Sequence, residues 1–150
     1  MRTALSMTGV EKPRVLFLCS RNDAQSQIAE ALLRSQAEDR FEICSAGLEP
    51  SAVHPLARQV LEEVGIETGA LHPKSVGRFL GKVGVRYAII VDAPSNPRSP
   101  RVYPFATSTL RWPIEDPTAA GGSAEAQLAA FRRVRDEIAD HIRRFLSSDD

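Results

Sequence analysis

The alternation of short apolar runs with helical patterns is the feature that most limits how this chain can fold. Residues 14–18 form a short apolar run rich in strand formers, which is typical of a strand buried on both faces. Eight small or polar residues, C-S-R-N-D-A-Q-S, follow at 19–26, and a helical pattern starts near Ser26. The order strand, polar loop, helix predicts the first part of a βαβ unit.

The same order repeats over the rest of the chain. Further strands are predicted at 41–45, 87–91 and 107–112, and further helices at 55–64, 75–80 and about 124–146. Pro55 suits the first position of its helix, and Gly65 suits the cap that ends it. This alternation predicts a doubly wound α/β fold, a single domain with a four-stranded parallel sheet flanked by helices. We expect the domain to span 14–146, between a disordered tail at 1–13 and a short tail at 147–150.

The composition excludes several classes of protein. The 150-residue chain has 19 Lys and Arg residues against 19 Asp and Glu residues, so it lacks the basic excess of a surface that binds nucleic acid or membranes. No apolar run approaches the roughly 18 residues of a membrane-spanning helix. The only cysteines are Cys19 and Cys44, which excludes a disulfide framework and a four-cysteine zinc site. We therefore expect a cytoplasmic protein without bound metal or cofactor, and without nucleic acid or membrane as a partner.

Cys19 lies where a nucleophile is expected. It ends the first strand, and parallel sheets bind ligands at the carboxyl ends of strands near a topological switch point. The helix that follows points its N-terminus at the loop, so free N–H groups and the helix dipole are expected to cradle an anion and to lower the pKa of the Cys19 thiol. The alternative is a small core cysteine at a strand end. The candidate oxyanion-binding residues are Ser20, Arg21, Asn22, Asp23, Ala24, Gln25 and Ser26.

The loop and several other segments carry a family resemblance. Residues 19–26 resemble the C-x-x-N-x-x-R-S phosphate-binding loop of the low-molecular-weight protein tyrosine phosphatase superfamily, and the whole chain resembles the arsenate reductases of that superfamily. The order and spacing of the matches cover the chain from about residue 13 to 146. The other matching segments are A-E-A-L-L-R at 29–34, S-A-G-L-E-P at 45–50, V-H-P-L-A at 53–57, K-S-V at 74–76, W-P with D-P at 112–117, and L-A-A-F-R-R-V-R-D-E-I at 128–138.

The resemblance implies a low-molecular-weight phosphatase-like fold, a reaction and a role for each matched residue. Cys19 would attack arsenate or a phosphoryl group, and Asp116 would protonate the leaving oxygen. Asn22 would hold the loop in shape, Ser26 would stabilise the Cys19 thiolate, and Ser45 would support the loop from the neighbouring strand. The implied activity is the reduction of arsenate to arsenite for arsenic detoxification, with arsenate or phosphate as the small-molecule ligand.

Other polar residues have simpler structural interpretations. Asp116 precedes a proline and is equally suited to a turn, and Glu115 beside it is the fallback acid. His54 precedes a predicted helix, where a structural role is expected. His141 is expected to be solvated on the last helix, and His72 aligns with no role.

Gln25 is the first departure from the family pattern, because it stands where the loop arginine is expected. An arginine there would hold the equatorial oxygens of a tetrahedral anion with a charged, planar fork. Glutamine has no charge, and the loss of one charge-assisted hydrogen bond costs about 1.5–3 kcal/mol. Turnover is therefore expected to be impaired or altered. Arg21 either supplies the missing charge or points to solvent.

The second departure concerns the thiols. The thioredoxin-coupled reductases that the chain resembles carry two further cysteines in and after the loop that follows the third strand. Residues 91–100 contain none, and Ser99 stands near where one is expected. Reduction of arsenate takes two electrons and hence two thiols, so the second thiol comes from Cys44, a small thiol or a partner protein. Cys44 lies in a predicted strand, where an inert buried thiol is favoured. The resemblance implies thioredoxin, or a small thiol with a glutaredoxin-like partner, as the external reductant.

Two other functions stay open. The first is a phosphatase acting on phosphotyrosine or small phosphate esters. Gln25 counts against it, and so does the shortage of aromatic residues after the third strand, where Tyr103 is the only tyrosine nearby. The second is a non-catalytic oxyanion-binding module, which Gln25 and the missing cysteines both favour.

Overall fold

The computed structural model describes residues 12–100 and 103–148. Four strands and three α-helices alternate along these residues, with two short 3₁₀ helices at Val76–Arg78 and Pro117–Ala119. The strands are β1 (Arg14–Cys19), β2 (Glu42–Gly47), β3 (Val85–Val91) and β4 (Ala106–Trp112). The α-helices are α1 (Gln25–Ala37), α2 (Pro55–Glu62) and α3 (Ala124–Ser148). The predicted α/β domain, a four-stranded parallel sheet flanked by helices, is confirmed.

The sheet has the order β2-β1-β3-β4, and each neighbouring pair is parallel. In this register Cys19 lies opposite Gly47, and Val91 lies opposite Trp112. The carboxyl ends of all four strands therefore share one edge of the sheet. The chain leaves β1 toward β2 and later returns to β3 on the other side of β1. This reversal creates a topological switch point between the ends of β1 and β3, where parallel sheets bind their ligands.

Two apolar clusters cover the two faces of the sheet. The larger packs the three helices against one face, with Phe17, Ile89, Phe131 and Ile138 almost fully buried. The smaller, on the opposite face, includes Leu16, Leu18, Ile90 and Tyr103, with the residues around the first 3₁₀ helix packed against it. None of the helices in the described part of the chain is long and apolar enough to cross a membrane.

The element boundaries differ from the prediction by one or two residues. Strand β3 starts at Val85 instead of 87, and α1 starts at Gln25 instead of 26. Helix α3 continues to Ser148, into the predicted tail at 147–150. Pro13, the last residue of the predicted first tail, has a carbonyl that accepts the N–H of Glu42 at 3.0 Å. Residues 1–11 and 149–150 of the predicted tails lie outside the described residues.

Gly47 at the end of β2 has no room for a side chain. A Cβ atom on Gly47 would lie 2.8 Å from both the carbonyl carbon of Arg21 and the nitrogen of Asn22. These are backbone atoms of the loop after β1, so they cannot move aside as the end of a flexible side chain would. Glycine at this position therefore allows β2 and the loop to approach each other closely.

Replacing Gly47 with alanine is expected to lower the free energy of unfolding by about 1–3 kcal/mol, because the added methyl group overpacks a backbone contact. Gly69→Ala is the matched control, since a Cβ there meets nothing within 4 Å. Denaturant unfolding of both variants measures the difference. Equal stabilities of the two variants would contradict this account of the contact.

Candidate active site

Cys19 lies at the carboxyl end of β1, inside a loop that α1 closes. Its Sγ lies 2.8 Å from Ser26 Oγ, and the N–H of Asn22 donates to it at 3.2 Å. The N–H of Ser26 donates to the same sulfur. Because α1 starts at Gln25, the N–H groups of its first turn have no intrahelical acceptor and are available to the loop. The strand, the polar loop and the helix N-terminus meet around one sulfur atom.

Asn22 connects the loop to its surroundings from the inside. It is fully buried and has a φ of 57°, in the left-handed region that asparagine tolerates better than most residues. Its Nδ2 donates to Ser26 Oγ at 2.8 Å and to Ser45 Oγ at 2.9 Å. Its Oδ1 accepts the N–H of Lys74 at 2.8 Å. The structure thus places Cys19, Ser26, Asn22 and Ser45 in one chain of hydrogen bonds.

A buried charged cluster lies behind Ser45. Ser45 Oγ donates to Glu30 Oε1 at 2.5 Å, and Lys74 Nζ lies 3.4 Å from the same oxygen. Arg34 Nη1 binds Glu30 Oε2 at 2.7 Å. Glu30 and Lys74 are 5% and 8% exposed, and buried charges of this kind are tolerated only when they are paired. The cluster supports Ser45 from the side away from Asn22.

The segment between β2 and α2 lies along the loop and binds its carbonyl groups. Three N–H groups of this segment donate to three carbonyl oxygens of the loop, in the manner of a short ladder. The pairs are Glu49 N to Ser20 O at 2.8 Å, Ser51 N to Arg21 O at 3.0 Å, and His54 N to Asp23 O at 2.9 Å. With these carbonyl groups bound on the outside of the loop, its interior is left to N–H groups and side chains.

Two carboxylates flank the loop at the ends of β3 and β4. Asp92 is 1% exposed and accepts the N–H of Ser20 at 3.3 Å. Asp116 Oδ1 accepts the N–H and the hydroxyl of Thr118 at 2.9 and 2.7 Å, which caps the second 3₁₀ helix. Burial raises the pKa of Asp92 and of Asp23, and the charge of Asp116 raises both further. Asp116 therefore caps a turn and also faces the loop.

Glu115, the fallback acid, occupies a different position from Asp116. Its side chain is exposed, whereas Asp116 is half-buried. Of these two carboxyl groups, Asp116 is the one whose charge raises the pKa of Asp23 and of Asp92. The charge of Asp116 thus reaches two carboxylates at the loop, and its role as proton donor stays a prediction.

The Cys19 thiol does not have the lowered pKa that the helix N-terminus predicts. Burial raises the pKa of this thiol from 9.0 to about 11, and the nearby charge of Asp92 adds to the rise. The hydrogen bonds from Ser26 and Asn22 act in the opposite direction but do not outweigh burial. The prediction of a lowered pKa was wrong because it considered the helix dipole and neglected desolvation.

Gln25, which departs from the family motif, and Arg21, which could supply the missing charge, lie in different environments. Gln25 is 3% exposed at the start of α1. Arg21 is exposed, and its charge partly offsets the rise that burial causes in the pKa of Asp23. Arg21 therefore acts on a carboxylate of the loop, and its compensation for the missing arginine stays a prediction.

Cys44 is too far from Cys19 to act as its disulfide partner. It lies opposite Leu16 in the register of β1 and β2, three residues before Cys19. At about 3.3 Å per residue, the two cysteines are roughly 10 Å apart along the strands. A disulfide needs Cα atoms within about 7 Å. Burial raises the pKa of the Cys44 thiol to about 12, in keeping with the inert thiol that its strand position favours.

The histidines and Tyr103 lie outside the catalytic group. His54 caps α2 by accepting the N–H of Leu56 on Nδ1 at 3.1 Å. His141 is partly exposed on the last helix, and one face of its ring stacks on Trp112 with centroids 5.0 Å apart. Tyr103 is buried in the smaller apolar cluster, so it is not available to stack on a substrate ring at the loop.

Sequence reasoning missed four residues of this site: Gln27, Glu30, Lys74 and Asp92. Gln27 Nε2 lies within 3.0 Å of two oxygens of Asn22 and 2.8 Å from the carbonyl of His72. Asp92 directly follows a predicted strand, so the strand-end rule alone points to it. In residues 12–100 and 103–148, no group of three His, Cys, Asp or Glu residues is placed to hold a metal ion.

This geometry belongs to a known family. The model of the low molecular weight phosphotyrosine protein phosphatase family matches residues 14–149. The chain is therefore a member of this family. Its relatives include arsenate reductases: it is 30% identical over 141 residues to that of Halalkalibacterium halodurans, with 91% of this chain and 96% of the relative covered. It is 32% identical over 139 residues to that of Bacillus cereus strain G9842, with 89% and 94% covered.

Solved structures show the same likeness. An arsenate reductase in its phosphate-binding state is 25% identical and superposes with a TM-score of 0.75, covering 92% of this chain and 99% of that one. A thioredoxin-dependent arsenate reductase from Corynebacterium glutamicum is 26% identical with a TM-score of 0.68, covering 97% of this chain and 65% of that one. The chain thus shares the fold of these enzymes over nearly its whole length.

The raised thiol pKa can be measured directly. In a Cys44→Ser variant, the ultraviolet absorbance of the Cys19 thiolate is expected to appear with a midpoint of about pH 11, because burial disfavours the charged form. Subtraction of the Cys19→Ser, Cys44→Ser double variant removes the ionisation of the tyrosines. A midpoint below the ordinary value of 9.0 would show that the helix N-terminus dominates over burial.

Proposed function

We propose that this protein reduces arsenate to arsenite through Cys19, with a second thiol supplied from outside the chain, as part of arsenic detoxification. The observation that carries the proposal is the position of Cys19 Sγ, within hydrogen-bond distance of Ser26 Oγ and the Asn22 N–H in an oxyanion-type loop. The relatives named as arsenate reductases support the choice of substrate.

The proposed reaction uses Cys19, Asp116 and a thiol from outside the chain. The Cys19 thiol passes its proton to an arsenate oxygen and attacks the arsenic atom, and one arsenate oxygen leaves as water after Asp116 donates a second proton. A thiol from outside then attacks the Cys19 sulfur of the adduct. The pair of electrons in the sulfur–arsenic bond stays on arsenic, which becomes arsenite, and the two sulfurs form a mixed disulfide. A second equivalent of thiol releases Cys19.

The external thiol follows from the position of the two cysteines. Cys44 is the only other cysteine of the sequence, and the register of β1 and β2 separates it from Cys19. We propose thioredoxin, or a small thiol with a glutaredoxin-like protein, as the reductant. The thioredoxin-dependent enzyme of Corynebacterium glutamicum supports an external thiol protein for this fold.

Formation of arsenite from arsenate by the purified protein tests the proposal. Thioredoxin and a small-thiol–glutaredoxin mixture are supplied in parallel assays, and Cys19→Ser is expected to abolish the product in whichever assay is active. The active mixture identifies the source of the second thiol. Arsenite that does not depend on Cys19, or no arsenite with either mixture, would overturn the proposal.

The same assay distinguishes the two candidate acids. Asp116→Asn is expected to lower arsenite formation by about 10²-fold, a usual effect of losing a general acid. Glu115→Gln removes an exposed carboxylate next to it, so comparison of the two variants separates loss of the proton donor from loss of a nearby charge.

An oxyanion-binding module without turnover is the second candidate, because two observations favour it. Gln25 replaces the cation that would stabilise the transition state, and burial keeps the Cys19 thiol protonated at neutral pH. Both changes weaken catalysis while leaving the loop and its N–H groups in place. The hydrolysis of phosphate esters depends on the same missing cation, so it is less favoured than binding.

Gln25→Arg separates a weakened enzyme from a binding module. If the site is otherwise intact, restoring the charged fork is expected to raise turnover by roughly 10²–10³-fold, as for other preorganised groups that stabilise an oxyanion. Single-turnover assays of arsenate with the variant and the natural chain measure this change. Tighter anion binding without any gain in turnover would favour the module.

A further inference from the structure

One residue of the loop carries a carboxylate. Asp23 lies between the nucleophile and the helix, four residues after Cys19, and is 8% exposed. The segment before α2 holds it, since Ser51 Oγ donates to Asp23 Oδ2 at 3.4 Å and the N–H of His54 donates to Asp23 O. Its carboxyl group is therefore a fixed part of the site.

The charges that face Asp23 come from three parts of the chain. Arg21 is its neighbour in the loop, His54 belongs to the start of α2, and Asp116 follows β4. The charge of Asp116 raises the pKa of Asp23, whereas Arg21 and His54 lower it. Arg21 is exposed to solvent, which screens its charge.

The other cations near the loop are committed elsewhere. Lys74 Nζ pairs with Glu30 and also donates to the carbonyl of His72 at 3.0 Å. Arg34 pairs with Glu30 on the same side, away from the thiol. Asp92 adds a further buried carboxylate at the end of β3. Among the described residues, the carboxylates at the loop are those of Asp23, Asp92 and Asp116, and Arg21 is the exposed arginine beside them.

We propose that Asp23 is a specificity-determining residue that makes the loop select singly charged tetrahedral oxyanions, such as dihydrogen arsenate, over doubly charged ones. This inference rests on the proposed function in one respect, namely that the loop binds tetrahedral oxyanions. The loop N–H groups attract both forms, the dianion more strongly, and a carboxylate in the loop acts against this preference. Repulsion from a fixed carboxylate acts twice as strongly on a dianion as on a monoanion, because the Coulomb energy is proportional to the ligand charge.

The raised pKa of Asp23 agrees with this arrangement. Burial is its main cause, and the charge of Asp116 contributes in the same direction. A carboxylate in such a position is held in an unfavourable environment when it is charged. Asn at position 23 is therefore expected to fold at least as stably as the natural residue at neutral pH.

Two anions of fixed charge test the selection without any change of pH. Sulfate is a tetrahedral dianion and perrhenate a tetrahedral monoanion over the whole neutral range. Their affinities are measured at constant ionic strength, from the amide NMR shifts of Asn22 and Ser26. In Asp23→Asn, the affinity for sulfate is expected to rise about tenfold and that for perrhenate about threefold, in line with their charges.

Asp39→Asn is the matched control, since it removes one negative charge from an exposed turn between α1 and β2. It is expected to change neither affinity measurably, because salt screens distant surface charges. Asp23→Ser is a second variant with a small polar side chain, used if the asparagine variant folds poorly. If Asp23 had only a structural role, its replacement would leave the ratio of the sulfate affinity to the perrhenate affinity unchanged.

The possible failures are distinguishable. If both anions bind but Asp23→Asn and Asp23→Ser leave the sulfate-to-perrhenate ratio unchanged, the selection by Asp23 is wrong and the oxyanion loop stands. If neither anion shifts the loop amides in the natural chain, in Asp23→Asn or in Gln25→Arg, the oxyanion loop itself is wrong, and the proposed function is overturned together with the selection.

Discussion

The hydrogen bonds of Asn22 are the interactions on which the rest of the site depends. A single buried side chain in the left-handed conformation binds Ser26, Ser45 and the backbone of Lys74. These partners come from α1, β2 and the segment before the first 3₁₀ helix. Because every polar atom of the Asn22 amide is satisfied inside the protein, no other common side chain fits this position without leaving a buried group unpaired. The position of the Cys19 sulfur follows from this fixed turn.

Charge is arranged differently on the two sides of the loop. Behind it, Glu30 is paired with Lys74 and Arg34, so each buried charge has a partner of opposite sign and the cluster serves as support. In front of it, the described carboxylates Asp23, Asp92 and Asp116 outnumber Arg21, and burial raises the pKa of the thiol. The hydrogen bonds that hold the loop around the Cys19 sulfur are thus in place, whereas Gln25 stands where the family pattern has an arginine. The proposed activity therefore depends on how strongly the N–H groups of the loop alone can stabilise an anion beside Cys19.

The sequence was sufficient for the architecture because each strand and helix has a clear apolar pattern, and the carboxyl ends of parallel strands bring distant loops together. It identified Cys19, Ser45 and Asp116 through position and resemblance. It did not identify Glu30 or Lys74, since a charged residue in a helix or a loop is usually solvated, and only the folded structure shows that these two bury each other. The prediction of a lowered pKa for the Cys19 thiol was wrong for a related reason. The local sequence shows the helix N-terminus, but burial of the thiol depends on the entire fold.

The three backbone hydrogen bonds between the loop and the segment before α2 have a consequence for how this chain can vary. Surface connections between a strand and a helix usually accept insertions and deletions, because little depends on their length. Here the N–H groups of residues 49, 51 and 54 bind the carbonyl groups of residues 20, 21 and 23. One residue more or less would misalign this ladder and move the loop around the thiol. The length of an apparently ordinary connection is therefore constrained as closely as the identity of the residues that it supports.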